Sequence, residues 1–289
     1  MREIPISLYS GAGNEFVVID AFNDPLIVES VKLKALAQTV SNRNGIIGSD
    51  GMIVLARSAK APFMMNFYNP DGSFGALCGN GARCAVQAAF DAGIIGDRNT
   101  NFEVLGEVVR AESNSDDIIR VYYSDPKHIK LKFKLAIGGE LVTCHYVDMG
   151  SQHAVIFFPE IEQLRNTTIE EFDIAKYGSA VRNHDDLKPL GANANFIEVR
   201  EDEQGKYLRI RTFERGVEGE TLACGTGCMS SAMVTFALRK ITELPIRLLT
   251  QSGEFVRVGF DIHDQHVHNL WLEGSARLKR RGIVSVNGK

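Results

Sequence analysis

The sequence predicts a mixed α/β (α+β) protein of two pseudo-symmetric domains, each a curved, mostly antiparallel sheet wrapped around a buried central helix. Three observations predict it. Strand-like runs dominate, short and rich in β-branched and aromatic residues, with turn signals between them. The order of elements in the first half recurs in the second. Each half also holds one helix that is apolar nearly all round, and such a helix is stable only when enclosed.

Taken in order, Ile4 to Tyr9, Phe16 to Asp20, Gly51 to Ala56 and Phe63 to Tyr68 read as strands, and Ser30 to Val40 as a helix. Asn69-Pro-Asp-Gly-Ser73 reads as a turn, with proline presetting φ and glycine taking the positive one. A helix is expected from Cys78 to about Asp91, with Gly93 as its C-terminal stop. Further strands run through Val104, Ile119, Leu131 and Val142.

The second half answers element by element. Met149 to Phe157 resembles Ser10 to Val18 at an offset of about 139 residues, Gly150 standing against Gly11. A helix near Thr167 to Val181 answers Ser30 to Val40, Asn195 to Val199 answers Met52 to Leu55, and Leu208 to Phe213 answers Met64 to Tyr68. Cys224 answers Cys78, an offset of 146. So small a drift over so many elements marks a duplicated unit, not a solenoid. The expected domains are 1–124 with 275–289, and 125–274. Gly225 to Leu238 carries no charge, and Arg83 is the sole charge between Gly79 and Phe90.

The 289 residues, 44% of them hydrophobic, suffice for a sizeable core, and a net charge of -4 gives no footprint for nucleic acid or an anionic membrane. No apolar run reaches membrane-spanning length, and MREIPISLYSGAGNEF lacks the apolar core of a signal peptide. A cytoplasmic location is expected. Five cysteines, an odd number in a long chain, argue for reduced thiols over a disulfide scaffold.

Two of those thiols carry the chemical signal. Cys78-Gly-Asn-Gly and Cys224-Gly-Thr-Gly each place a cysteine at the mouth of a buried helix. There the helix dipole and open N–H groups favour thiolate, and such cysteines titrate at roughly 3.5–7.5 in place of about 8.5. The glycines let the backbone approach a ligand, and the N–H groups suit a carboxylate. One such cysteine is more simply a core residue; two in duplicated positions reverse those odds. Duplicated domains facing each other across a cleft would set a thiolate and a thiol on opposite faces of one carbon. That is what inversion of a stereocentre needs. Cys84, Cys144 and Cys228 fall inside helices or a strand and read as core.

Asn69-Pro-Asp-Gly-Ser73, Cys78-Gly-Asn-Gly-Ala-Arg-Cys84 and Glu214-Arg-Gly-Val-Glu-Gly-Glu-Thr-Leu-Ala-Cys-Gly-Thr-Gly227 resemble the signatures of the diaminopimelate epimerases, and Gly11-Ala-Gly-Asn-Glu-Phe16 and Gly191-Ala-Asn-Ala-Asn-Phe196 fit that family too. The likeness runs from about residue 6 to the C-terminus. It implies epimerisation between LL- and meso-diaminopimelate without pyridoxal phosphate or any other cofactor or metal, on the route to lysine and peptidoglycan. It also implies two pseudo-symmetric domains and a homodimer. By position it makes Cys78 and Cys224 the two acid–base thiols, and Gly79-Asn80 and Gly225-Thr226 the backbone cradle for the reacting carboxylate. Asn14, Asn69, Asn193, Glu214 and Arg215 become substrate-binding residues, with His153 a further site residue. The chemistry agrees, since ammonium needs acceptors such as Glu214 and carboxylate a bidentate donor such as Arg215. Taken alone, Asn14 and Asn69 would be turn residues and Glu214-Arg215 a surface pair.

One departure stands out. Where many relatives have Gly-Asn-Pro-His, this chain has Gly150-Ser-Gln-His153. Ser151 is shorter than the asparagine that helps hold substrate there, so the expectation is looser reading of the far end of diaminopimelate and a side activity on smaller amino acids. Other readings are a related racemase of the same fold, such as one for proline or hydroxyproline or an amino acid racemase of broad range, a thiol redox protein, a Cys/His metal site, and a silent binding module. The Glu214-Arg215 pair argues against the proline enzymes, the absence of Cys-x-x-Cys against the redox protein and the lack of zinc-finger spacing against the metal site, and the intact cysteine pair against the last.

Overall fold

The computed structural model describes residues 2–286 except 28–31, 43, 44, 46, 76 and 116. Contacts divide the chain into two compact units, Met1–Tyr122 with Glu273–Lys289, and Tyr123–Leu272. The sequence reading set these divisions two residues later at both points.

The first unit begins with β1 (Arg2–Gly11), β2 (Asn14–Asp20), α1 (Leu33–Ser41), β3 (Gly51–Ala56) and β4 (Met64–Tyr68). It continues with α2 (Gly79–Asp91), β5 (Thr100–Val104), β6 (Glu107–Ser115) and β7 (Ile118–Tyr122). Residues 30 and 31 of the expected first helix lie outside the described residues. β1–β2, β3–β4, β5–β6 and β6–β7 pair antiparallel, whereas β2–β3 and β4–β5 are parallel. Each parallel pair brackets a helix, because parallel strands need a crossover. β3 is apolar at consecutive positions and buried along nearly its whole length, as befits a strand covered on both faces. One face meets α1 and a cluster that includes Ile4, Val17, Leu36, Val40 and Met52. The other meets α2, whose residues Asn80 to Ala89 are all buried.

The second unit holds β8 (His128–Ile137), β9 (Glu140–Asp148), β10 (Gln152–Phe157), α3 (Ile174–Arg182), β11 (Asn193–Asp202) and β12 (Gly205–Glu214). Then follow β13 (Gly219–Thr221), α4 (Gly225–Ala237), β14 (Ile246–Leu249), β15 (Phe255–His263) and β16 (His266–Ser275). β9–β10 and β11–β12 are antiparallel, β10–β11 and β12–β14 parallel, and β14–β15 antiparallel. This is the pairing order of the first unit. The last three residues of β16 belong to the first unit, where β17 (Arg277–Val286) runs antiparallel to β1, just as β8 runs antiparallel to β9. α2 packs against β1, β2, β3, β4, β7 and β17, and α4 against β10, β11, β12, β14 and β15. Each central helix is thus enclosed by the strands of its own unit. Fully burying side chains such as Val86, Met229 and Val234 stabilises by roughly 1.5–3 kcal/mol each.

Where elements differ from the sequence reading, a local cause is visible. The helix expected from Thr167 begins at Ile174, because the Asp173 carboxylate accepts the Lys176 N–H at 3.0 Å and starts the helix there. Ile169 and Phe172, which looked helical, instead turn into the core beside Phe196. Phe63 precedes β4 and is fully buried against Phe102. Gly93 ends α2 as expected, at a φ of +69°, donating to the Phe90 carbonyl at 3.0 Å.

Two histidines of the second unit make its stability depend on pH. His145 in β9 and His153 in β10 are 1% and 0% exposed. Burial holds their pKa values down to about 4 and about 3, against roughly 6.5 in an unfolded chain. The stability this represents is fully present above pH ~6.5 and is lost as pH falls through the folded values, since only the unfolded state binds the protons. Thermal unfolding between pH 7 and 4 is expected to show a falling midpoint, with a shallower fall in His145→Gln. An unchanged slope in that variant would contradict the assignment.

Candidate active site

Both central helices begin at a cysteine. Cys78 is the N-cap of α2, half-buried, with extended backbone (φ -88°, ψ 115°) and its carbonyl accepting the Ala82 N–H at 2.7 Å. Cys224 is the N-cap of α4, 7% exposed, its carbonyl accepting the Cys228 N–H at 2.9 Å. Neither helix has a side-chain cap or an acidic residue in its first turn. No capping oxygen takes the first-turn N–H groups, which have no partner within a helix, and that suits an anion. Neither cysteine is in a disulfide.

The glycines have steric reasons. A Cβ on Gly11 would lie 2.7 Å from the Asn80 carbonyl oxygen, and one on Gly227 would lie 2.3 Å from Asn195 Oδ1. Each close approach brings a polar strand end against the helix's first turn. In the first unit this makes a chain of side chains. Arg83, 0% exposed, donates from Nη2 to Asn80 Oδ1 at 2.8 Å. Asn80 Nδ2 donates to Asn14 Oδ1 at 2.7 Å, and Asn14 Nδ2 to Asp50 Oδ2 at 3.1 Å. Arg83 also donates to the Ser275 carbonyl at 3.3 Å. Asn69 is not bonded into this chain. It holds its own turn, donating to Ser73 Oγ at 2.9 Å.

In the second unit Glu214 and Cys224 are in direct contact, with the thiol donating to the carboxylate. Glu214 Oε2 also accepts from Thr221 Oγ1 at 2.8 Å. The Cys224 sulfur lies 3.6 Å from Thr226 Oγ1 and receives the Gly227 N–H. Asn193 braces the backbone: Nδ2 donates to the Gln152 carbonyl at 2.9 Å, and Oδ1 accepts the Arg215 N–H at 2.8 Å. Arg215 Nη1 donates to Gln152 Oε1 at 2.7 Å. His153, fully buried, meets Ser151 Oγ at 2.9 Å through Nε2 and Asn195 Nδ2 at 3.3 Å through Nδ1. The second unit thus brings together Cys224, Glu214, Thr226 and His153 through Ser151, with Arg215 and Asn193 joined beside them.

The diaminopimelate epimerase family model matches residues 6–129 and 145–276. A diaminopimelate epimerase from Chlorobaculum tepidum is 37% identical, covering 96% of this chain and 100% of its own. The chain belongs to the diaminopimelate epimerase family. Another member, from Aquifex aeolicus, is 33% identical over 95% of both chains. Solved structures share the fold at lower identity. A phenazine biosynthesis protein of the PhzF family from Bacillus anthracis has a TM-score of 0.74 at 14% identity, covering 99% of this chain and 100% of its own. A hydroxyproline epimerase from Agrobacterium vitis has 0.69 at 14%, covering 98% and 91%. Among the described residues no helix is long and apolar enough to cross a membrane.

Against this family frame the electrostatics of Cys224 correct one expectation. The helix end was expected to favour thiolate, yet burial pushes the Cys224 thiol well above its ordinary range, and the Glu214 carboxylate pushes it further. Thr226 and the Gly227 N–H act in the opposite direction and are outweighed. Burial also raises Glu214. Two acidic groups share one dry site, where a second negative charge is disfavoured. Cys224 therefore stands as a thiol, ready to give a proton. Several residues of the networks went unmarked in the sequence: Asp50, Gln152, Asn195 and Thr221. Arg83, the sole charge between Gly79 and Phe90, was a usable signal.

In a Cys78→Ala background, alkylation of Cys224 by iodoacetamide is expected to have a pH midpoint above the ordinary cysteine value of about 8.5. Glu214→Gln is expected to lower that midpoint, because a negative charge beside the sulfur is removed. A midpoint unchanged or raised in Glu214→Gln would refute the charge argument.

Proposed function

We propose that this protein is a pyridoxal-phosphate-independent epimerase that interconverts LL- and meso-diaminopimelate, supplying lysine and peptidoglycan precursors. The observation that carries the proposal is the repetition of one device: a cysteine at the uncapped N-terminus of a buried helix, once in each copy of the unit. One sulfur, as thiolate, removes the α-proton. Charge spreads into the substrate carboxylate, which the backbone N–H groups of Gly79-Asn80 and Gly225-Thr226 receive. The other sulfur, as thiol, delivers a proton to the opposite face. In the reverse direction the roles exchange. Glu214 and the amide oxygens of Asn14, Asn69 and Asn193 accept from substrate ammonium, and Arg215 binds carboxylate. These residues, with His153 as support for Cys224, are the proposed site. No cofactor or metal takes part. We place the enzyme in the cytoplasm, and we assign it a homodimer because the family resemblance implies one.

Ser151 supports a second reading of substrate range. Its oxygen lies within 2.9 Å of His153 Nε2 and 3.4 Å of Thr226 Oγ1, so its polar capacity is engaged within the protein. A diaminopimelate end reaching this position would find one donor fewer, a change typically of about 0.5–1.5 kcal/mol. Ser151→Asn is expected to discriminate more strictly between diaminopimelate and a shorter amino acid. Equal or poorer discrimination would contradict this.

Because general acid–base groups contribute typically 10²–10⁴-fold each, Cys78→Ala and Cys224→Ala are each expected to lower epimerisation at least about a hundredfold without changing the circular dichroism spectrum. Incorporation of solvent deuterium at the α-carbon, followed without added pyridoxal phosphate, gives the direct readout. Full turnover in either variant would falsify the two-thiol mechanism.

A further inference from the structure

Ser151 lies in a hydrogen-bond chain that ends on Cys224, and the direction of every link can be worked out. Asn195 is fully buried, and its Nδ2 faces two backbone carbonyls, Ala154 O at 3.0 Å and Asn193 O at 3.3 Å. Carbonyls only accept, so this atom is the amide NH2, and Oδ1 takes the Thr212 hydroxyl at 3.0 Å. The same NH2 faces His153 Nδ1 at 3.3 Å, so Nδ1 is the unprotonated nitrogen of a neutral imidazole and the proton is on Nε2. Complete burial keeps that ring neutral, its pKa held down to about 3. Nε2–H then donates to Ser151 Oγ at 2.9 Å. Ser151 is left to donate its own hydrogen to Thr226 Oγ1 at 3.4 Å, and Thr226 to donate to Cys224 Sγ at 3.6 Å.

The internal repeat gives a second, independent observation. By the offsets of 139 and 146 residues, His153 corresponds to Asn14 and Thr226 to Asn80. In the first unit Asn14 and Asn80 are bonded directly at 2.7 Å. In the second unit the corresponding link runs through Ser151.

We propose that Ser151 is a positioning residue for Cys224, relaying the donor direction set by Asn195 and His153 to the Thr226 hydroxyl so that its O–H is held toward the sulfur. The proposal rests on the reading of Cys224 as an acid–base thiol. A donor held at the sulfur favours thiolate, and losing it makes the proton harder to remove. The other groups facing Cys224 are the Glu214 carboxylate, the Gly227 N–H and the Cys228 thiol. Arg215 and Asp148 act on His153. None of these is altered by the substitutions used in the test.

The test reads the sulfur itself. In the full chain carrying Cys78→Ala, Ser151→Ala is expected to raise the pH midpoint of Cys224 alkylation by about 0.5–1 unit, three- to tenfold in thiolate fraction at fixed pH. Thr226→Val gives a similar rise, and the double variant no more than the larger single one, since both break one chain. Ser151→Thr, which keeps the hydroxyl, restores the midpoint. Nitrogen NMR of the His153 ring, assigned against His153→Gln, shows the Nε2–H tautomer. An unshifted midpoint in Ser151→Ala, additive shifts in the double variant, or an Nδ1–H tautomer would overturn the proposal. A failure of the unaltered chain to epimerise diaminopimelate would count against the proposed function alone, because alkylation is measured without substrate.

Discussion

Everything in this molecule follows from enclosing a helix. α4 carries no charged residue, and α2 is buried from Asn80 to Ala89, its polar side chains included, so each unit bends its strands around one. A helix sheathed along its length still has an end whose first N–H groups lack helical partners. An ordinary helix settles that end with Ser, Thr, Asp or Asn at the N-cap. Here the N-cap is cysteine in both units, which supplies no oxygen to cap the helix; in α4 the sulfur takes only the Gly227 N–H. The helix end is thereby left competent to bind an anion, with a sulfur beside it.

The polar groups around each helix end are ordered by the same constraint. Buried amides and charges are costly unless partnered, so they form directed chains. In the first unit the chain runs from Arg83 through Asn80 and Asn14 to Asp50. In the second it runs from Asn195 through His153, Ser151 and Thr226 to Cys224, which also interacts with Glu214. The two copies keep one scaffold and differ in charge. A guanidinium lies one turn along from the first cysteine, and a carboxylate lies against the second. Duplication supplied the geometry, and divergence of a few buried side chains supplied two different surroundings for one thiol.

That divergence explains why the sites were only partly legible in advance. Cys78, Cys224 and their glycines were readable because a helix start has a local signature and the signature occurred twice. What the sequence does not show is what holds the proposed binding residues: the Asn193 amide braces Arg215 and Gln152, and the Asn69 amide holds Ser73. Side-chain direction depends on neighbours distant in sequence, and Asn193 and Gln152 meet because β10 and β11 are paired in parallel. The tuning of Cys224 is the expectation that the structure corrects. The dipole of a helix end is a local property, whereas burial and the approach of Glu214 depend on how β12 and α4 pack.

The sequence by itself determined the duplicated order of elements, the two enclosed helices and the cysteine at the mouth of each. These rest on periodicity, turn chemistry and repetition, which are properties of neighbouring residues. Only the tertiary structure decided that α3 starts at Asp173's cap, that Arg83 is stabilised through a chain of amides, and that Cys224 stands as a thiol against Glu214. Each is set by side chains that the packing of separate elements brings together in a low-dielectric interior, or by a capping competition that packing of Ile169 and Phe172 resolves.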